Sequence, residues 1–120
     1  MAQRPTETNA ELPLSEASYL ILVALAERPM HGYLIMQTIN TVFRTGFQMG
    51  PGTLYRTLHL QLKGGLIRET DDSGSNSDDP RRRYYSITRR GQEVARQELQ
   101  RLRTLYRLGN ARIGATYAES

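Results

Sequence analysis

The chain has 120 residues, no cysteine, 38% hydrophobic residues and a formal charge of +4, which is the size and make-up of one globular domain with a modest core. Disulfides, thiolate zinc sites and cysteine nucleophiles are thereby excluded, and the longest apolar run, Tyr19 to Ala26, falls far short of the ~20 residues that cross a bilayer. Charge is segregated: residues 1–80 hold six bases and nine acids, residues 81–120 ten arginines and three glutamates, and fifteen of the sixteen bases are arginine.

Residues 1–13 are polar and aperiodic, with no apolar stretch of the kind a secretory signal needs. They are expected to form a flexible arm, and the cytoplasm is the expected compartment. Ser15 is a good helix cap with Glu16 in the first turn, and Leu20, Ile21, Ala24 and Leu25 recur at helical spacing until Arg28-Pro29, predicting a first helix over about 15–27. Pro29-Met30-His31-Gly32 reads as a turn. A second amphipathic helix follows, with Leu34 or Ile35, Ile39, Val42 and Phe43 on its apolar side, ending before Gly46. Tyr33 and Ile39 are expected in the core.

Gly50-Pro51-Gly52-Thr53 opens a third helix, Pro being tolerated in its first turn. Leu54, Leu58 and Leu62 line its inner face, leaving Arg56, Thr57, His59 and Lys63 outside, and Gly64-Gly65 ends it. Leu66–Thr70 and Arg83–Ile87 read as the strands of a hairpin, joined by an acidic, serine-rich loop containing Asp71, Asp72, Asp78 and Asp79. Tyr85 and Ile87 share the strand face expected beneath the third helix, whereas Tyr84 is freer. Thr88 caps a long last helix in which Ala95, Leu99, Leu102 and Tyr106 are spaced 4, 3 and 4, and Gly109-Asn110 ends it before an irregular tail.

The expected fold is therefore mostly α with a small β-hairpin, a winged helix-turn-helix followed by a C-terminal dimerisation helix. Its parts are an arm (1–13), a winged helix-turn-helix (14–87), a dimerisation helix (88–109) and a tail (110–120). In such a fold the third helix enters the major groove and the hairpin is the wing beside it. Arginine suits bidentate contact with phosphate and guanine, so the basic C-terminal third is an expected nucleic-acid footprint.

Four blocks then resemble one family: Arg28-Pro29-Met30-His31-Gly32-Tyr33, Gly52-Thr53-Leu54-Tyr55, Gly65-Leu66-Ile67, and Arg82-Arg83-Tyr84-Tyr85-Ser86-Ile87-Thr88 with Gly91 three residues on. In order and spacing they are similar to the PadR family of bacterial transcriptional regulators, from about Ser15 to Gly91. The resemblance implies a dimeric double-stranded DNA binder, usually a repressor, nucleoid-associated when bound. It also implies that a small apolar or phenolic effector can lie near the dimer axis. The chain departs from the pattern at Arg56, where proline is common, and at Leu60-Gln61-Leu62, where Arg-Leu-Glu is usual.

Candidate contacts follow from the chemistry of each side chain. Arg56, in the first turns of the third helix, can pair with guanine O6 and N7. The hydroxyls of Thr53 and Tyr55 suit phosphate, although the Tyr55 ring is also expected to pack beneath the wing. Thr57, His59 and Lys63 are further contacts, and Arg81, Arg82 and Arg83 lead into the returning strand toward backbone or minor groove, unless Asp78 or Asp79 pairs with them. The acidic loop tip is expected to project away from a duplex. Ala95, Leu99, Leu102, Leu105 and Tyr106 form the expected homodimer seam. Catalysis is not expected: His31 and His59 have no metal-binding spacing, Gly50-Pro51-Gly52 lacks the rest of a phosphate loop, and no cofactor or metal is implied. Two rival readings are a winged-helix adaptor that binds an acidic protein and a ligand sensor with its effector at the dimer seam.

Overall fold

The computed structural model describes residues 12–70 and 83–114. Helix α1 spans Glu16–Glu27, its first turn closed by Ser15 Oγ accepting from the Ser18 N–H at 3.0 Å. Ala17, Leu20, Ile21, Leu22, Ala24 and Leu25 are all buried, which makes α1 the central rod of the core. It stops because Pro29 forces Arg28 into an extended conformation.

The next four residues correct the expected turn. Met30–His31 form strand β1, which pairs antiparallel with strand β3 (Tyr84–Ile87); β3 pairs in turn with strand β2 (Ile67–Thr70). The wing is therefore a three-stranded sheet of order β1-β3-β2 rather than a hairpin. Met30 faces Tyr85 and His31 faces Tyr84, so the chain entering the second helix is stitched to the wing. Two residues of strand between a proline and a helix carry no periodic pattern, which is why they read as a turn.

Helix α2 (Gly32–Gln37) is capped by His31, whose Nδ1 accepts from the Leu34 N–H at 3.1 Å. It widens into a π-helical turn over Thr38–Phe43 and ends at Arg44, in the left-handed region at φ 52°. The wider turn rotates the face of the helix, so Val42 is exposed and Phe43 half-buried where regular periodicity predicts both inside. Helix α3 (Pro51–Lys63) buries Leu54 and Leu58, but Gln61 takes the third inner position and Leu62 is only half-buried. Gln61 Nε2 donates to the Ser18 carbonyl at 3.1 Å and to Ser18 Oγ at 2.8 Å, tying α3 to α1. Its Oε1 is buried without a partner among the described residues.

Helix α4 (Arg89–Gly109) continues as a π-helical turn over Asn110–Gly114, so it outlasts its expected end. Its start is locked to the wing root. The Thr88 hydroxyl accepts from the Gly91 N–H at 3.0 Å and donates to the Gly65 carbonyl at 2.6 Å. Val94 is fully buried and Ala95 packs against the core edge, whereas Leu99, Leu105, Tyr106 and Leu108 are exposed and Leu102 half-buried.

Glu98 is the exception on α4: a carboxylate only 2% exposed. Arg101 grips it with two hydrogen bonds, Nε to Oε1 at 2.9 Å and Nη2 to Oε2 at 2.8 Å. The Arg101 bonds, then its charge, and a bond from the Leu14 N–H hold Glu98 below the usual carboxylate range against the opposing effect of burial. Burial, and secondarily this charge, raises the Tyr19 hydroxyl. Because the folded-state pKa is depressed, the contribution of Glu98 is complete above the ordinary carboxylate range and is lost as pH falls through the lowered value. Glu98→Gln is therefore expected to melt below the parent chain at neutral pH and to show a flatter acid limb. Thermal melts across pH would check both; parallel acid limbs would remove Glu98 from the titration.

Candidate nucleic-acid interface

With 3.6 residues per turn, Gly52, Arg56, His59 and Lys63 fall at i, i+4, i+7 and i+11, a single stripe opposite Leu54, Leu58 and Gln61. All four are exposed, and Arg56 lies at the centre of the outward face. The helix contains no acidic residue. Gly50 and Gly52 add no side chains at its N-terminus, and the space around their α-carbons is open. First-turn N–H groups have no partner within their own helix, so this end is polar and positive.

The approach of α2 to α3 places the aromatic side chains. The Tyr55 ring lies against Gly32, so close that a β-carbon on Gly32 would sit 2.9 Å from the Tyr55 hydroxyl. Glycine is needed there because the ring occupies the side-chain position. Half of Tyr55 remains exposed, and its ring contact is with the start of α2, directly after β1. Tyr33 is 61% exposed and is not a core residue. Counted from buried Ile35 and Ile39, position 33 falls on the opposite side of α2, a signal the sequence did contain. Tyr84 packs its ring edge-to-face on His31 at 5.3 Å.

A second device sets where α3 begins. Asn40, on the π-helical turn, donates from Nδ2 to the Met49 carbonyl at 2.9 Å and accepts the Met49 N–H on Oδ1 at 2.8 Å. Both polar groups of that peptide position are held one residue before the Gly50 cap. An asparagine in a polar stretch gives no sequence signal for this role.

The other expected contacts divide. Thr53 and Thr57 are half-buried and line a cleft of about 540 Å³ between α1 and α3, bordered also by Leu14, Phe47, Arg56, Leu60 and Leu66. Thr57 therefore does not share the outward stripe. Arg83 Nη1 pairs with Glu69 Oε2 at 3.0 Å between β2 and the start of β3. Both partners are largely exposed, so this pair adds little stability. Arg81, Arg82 and the acidic tip with Asp71, Asp72, Asp78 and Asp79 lie outside the described residues. Tyr85 is buried as expected, while Ile87 is half-buried. Burial raises the Tyr85 hydroxyl, with the Glu69 charge a smaller cause.

Among the described residues no three His, Asp or Glu side chains converge, and no helix is long and apolar enough to cross a membrane. A second cleft, of about 480 Å³, lies between α1 and α4, bordered by Tyr19, Leu22, Val23, Ala26, Ile87, Gln92, Ala95, Arg96 and Leu99.

Comparison with known proteins adds three findings. The profile of the transcriptional regulator PadR-like family matches residues 21–98. An uncharacterized 37.1 kDa protein in transposon Tn4556 of Streptomyces fradiae is 34% identical over 84 residues; these are 70% of this chain, but the match spans only 22% of that relative. Among solved structures, a transcriptional regulator from Clostridium thermocellum matches with a TM-score of 0.68 at 24% identity, over 81% of this chain and 89% of that one. A PadR family regulator from Clostridium difficile has the same TM-score and identity, covering 81% and 97%. Bacillus subtilis PadR, solved in complex with operator DNA, has a TM-score of 0.62 at 18% identity, covering 72% and 48%. At these identities the structural likeness carries the fold.

Proposed function

The chain belongs to the PadR-like family of transcriptional regulators, and from that premise we propose that it is a homodimeric, sequence-specific repressor that reads a near-palindromic operator with helix α3. The observation that carries this reading is the outward stripe of α3, with Arg56 at its centre, Lys63 at its end and no carboxylate on the helix. The operator-bound Bacillus subtilis relative supports it. Thr53 and the open N-terminus of α3 suit a phosphate. Tyr33 and Tyr55 offer hydroxyls from two adjoining helices. Arg83 must exchange Glu69 for a phosphate, and Arg81 and Arg82 are proposed to join it. Repression is the sign implied by the family resemblance.

A dimer is the simplest cover for Leu99, Leu102, Leu105, Tyr106 and Leu108, which leave the core as α4 runs outward. Ala95 belongs to the contact with the chain's own core and contributes at most the inner margin of that seam. Two α3 helices would then address half-sites about one turn, or roughly 10 bp, apart. Leu102→Asp combined with Leu105→Asp is expected to give a monomer by analytical ultracentrifugation and to cost at least about ten-fold in operator affinity. An unchanged sedimentation coefficient would place the interface elsewhere.

Selection of bound duplexes from a random pool, followed by mass measurement of the complex, tests operator choice, symmetry and stoichiometry together. If each dimer neutralises ~6–10 phosphates, affinity should fall by about 10³–10⁵ between 50 and 200 mM salt. Absence of binding to any duplex at low salt would leave the surface to a protein partner. The apolar cleft between α1 and α4, which opens beside the proposed seam, favours one addition to this reading: a small apolar or phenolic effector could sit there and alter the spacing of the two heads.

A further inference from the structure

Leu60 is 59% exposed on a face otherwise built of polar and cationic side chains. It lies one turn beyond Arg56 and one turn before Lys63, beside the outward stripe. Behind it, Leu14, Phe47 and Leu66 wall the cleft toward α1; its front is open. A scattered exposed leucine is ordinary on a protein surface. This one is placed between the two cations of the helix proposed to enter the groove, where a surface that only gripped phosphate would gain nothing from a branched alkyl chain. Along the floor of the major groove, the C5-methyl of thymine is the apolar feature that distinguishes one base pair from another.

Resting on the reading of α3 as the groove helix, we propose that Leu60 is a specificity residue that packs on the C5-methyl of a thymine near the guanine taken by Arg56. Four residues of helix advance about 6 Å, and successive base pairs are about 3.4 Å apart, which puts the two bases within about two steps of each other. The operator half-site thus carries a thymine and a guanine at a fixed short spacing. Leu60 acts by shape and apolar contact, and Arg56 by hydrogen bonds.

Uracil is thymine without that methyl, so the test removes one carbon from the DNA. In the best duplex from the selection, each thymine of a half-site is replaced singly by deoxyuridine and affinity is measured for the parent protein and for Leu60→Ala. At one position, within about two steps of the guanine whose loss Arg56→Ala tolerates, the parent protein should lose about four-fold, the worth of about one buried carbon. Leu60→Ala should bind the thymine and uracil duplexes equally. Equal tolerance of every deoxyuridine by both proteins, with the parent duplex still bound, would overturn the role of Leu60 and leave the groove reading of α3 intact. A uracil penalty of the same size in both proteins would assign the methyl to another side chain. Failure of the parent protein to bind any duplex would remove both readings at once. Because Leu60 is exposed, Leu60→Ala should melt with the parent chain, and that melt is the control for folding.

Discussion

Gly91→Ala should be the most damaging single-methyl change in this protein, lowering stability by about 3–5 kcal/mol. Helical propensity alone gives the opposite sign, since alanine inside a helix is favoured over glycine by about 0.5–1 kcal/mol. Packing decides the outcome. A β-carbon at Gly91 would overlap the Leu66 carbonyl oxygen and lie 2.9 Å from Ile87 Cγ1. The Leu66 oxygen cannot yield, because it accepts the Thr88 N–H at 3.0 Å at the junction of β2, β3 and α4. To admit a methyl group, α4 must lift off the sheet, loosening Val94 and Glu98 behind it. At about 4 °C of melting temperature per kcal/mol for a domain near this size, the loss corresponds to roughly 10–20 °C. A melt within two degrees of the parent would mean that α4 is not seated on the wing as described.

Arg56→Ala should have the largest effect on recognition while leaving the fold untouched, since the side chain is exposed and points away from the core. On the best operator the expected loss is about 1–3 kcal/mol, the worth of a bidentate guanine contact, and on random duplex it is small. The consequence is a relaxed preference at one base pair per half-site. A phosphate contact behaves differently: its removal weakens both classes of DNA alike and lowers the slope of log affinity against log salt by about one. Competition of the variant between operator and random DNA, repeated at two salt concentrations, separates the two roles. Equal losses on both duplexes would make Arg56 a phosphate clamp and would move base reading to other residues of α3.

The elements legible in the sequence were those with a strong local cause. Ser15 and Thr88 cap helices, Pro29 and Gly64-Gly65 end them, and Leu54 with Leu58 marks the inner face of α3. What escaped depended on partners distant in the chain. Met30–His31 is a strand only because β3 lies beside it. Val42 faces outward only because α2 widens to a π-helical turn. Gln61 looks like a surface residue until Ser18, forty-three positions earlier, supplies its hydrogen bonds. The stripe through Arg56, His59 and Lys63 was legible because helical geometry alone fixes which side chains share a face. Asn40 was not, since its role is defined by the Met49 backbone that only tertiary folding brings near, and the burial of Glu98 was not, since it comes from the packing of α4 on the core.

The burial of Glu98 also limits how the molecule can move. Arg101 rides on the same helix, but swivelling the DNA-binding head about α4 would pull the Leu14 N–H from this carboxylate and open the packing around Val94, so the joint resists that motion. In the proposed dimer, two such heads joined through their α4 helices would form a caliper with a set gap. An operator whose half-sites lay slightly too near or too far would then have to bend or twist to fit, and its flexibility would enter selection at base pairs the protein never touches.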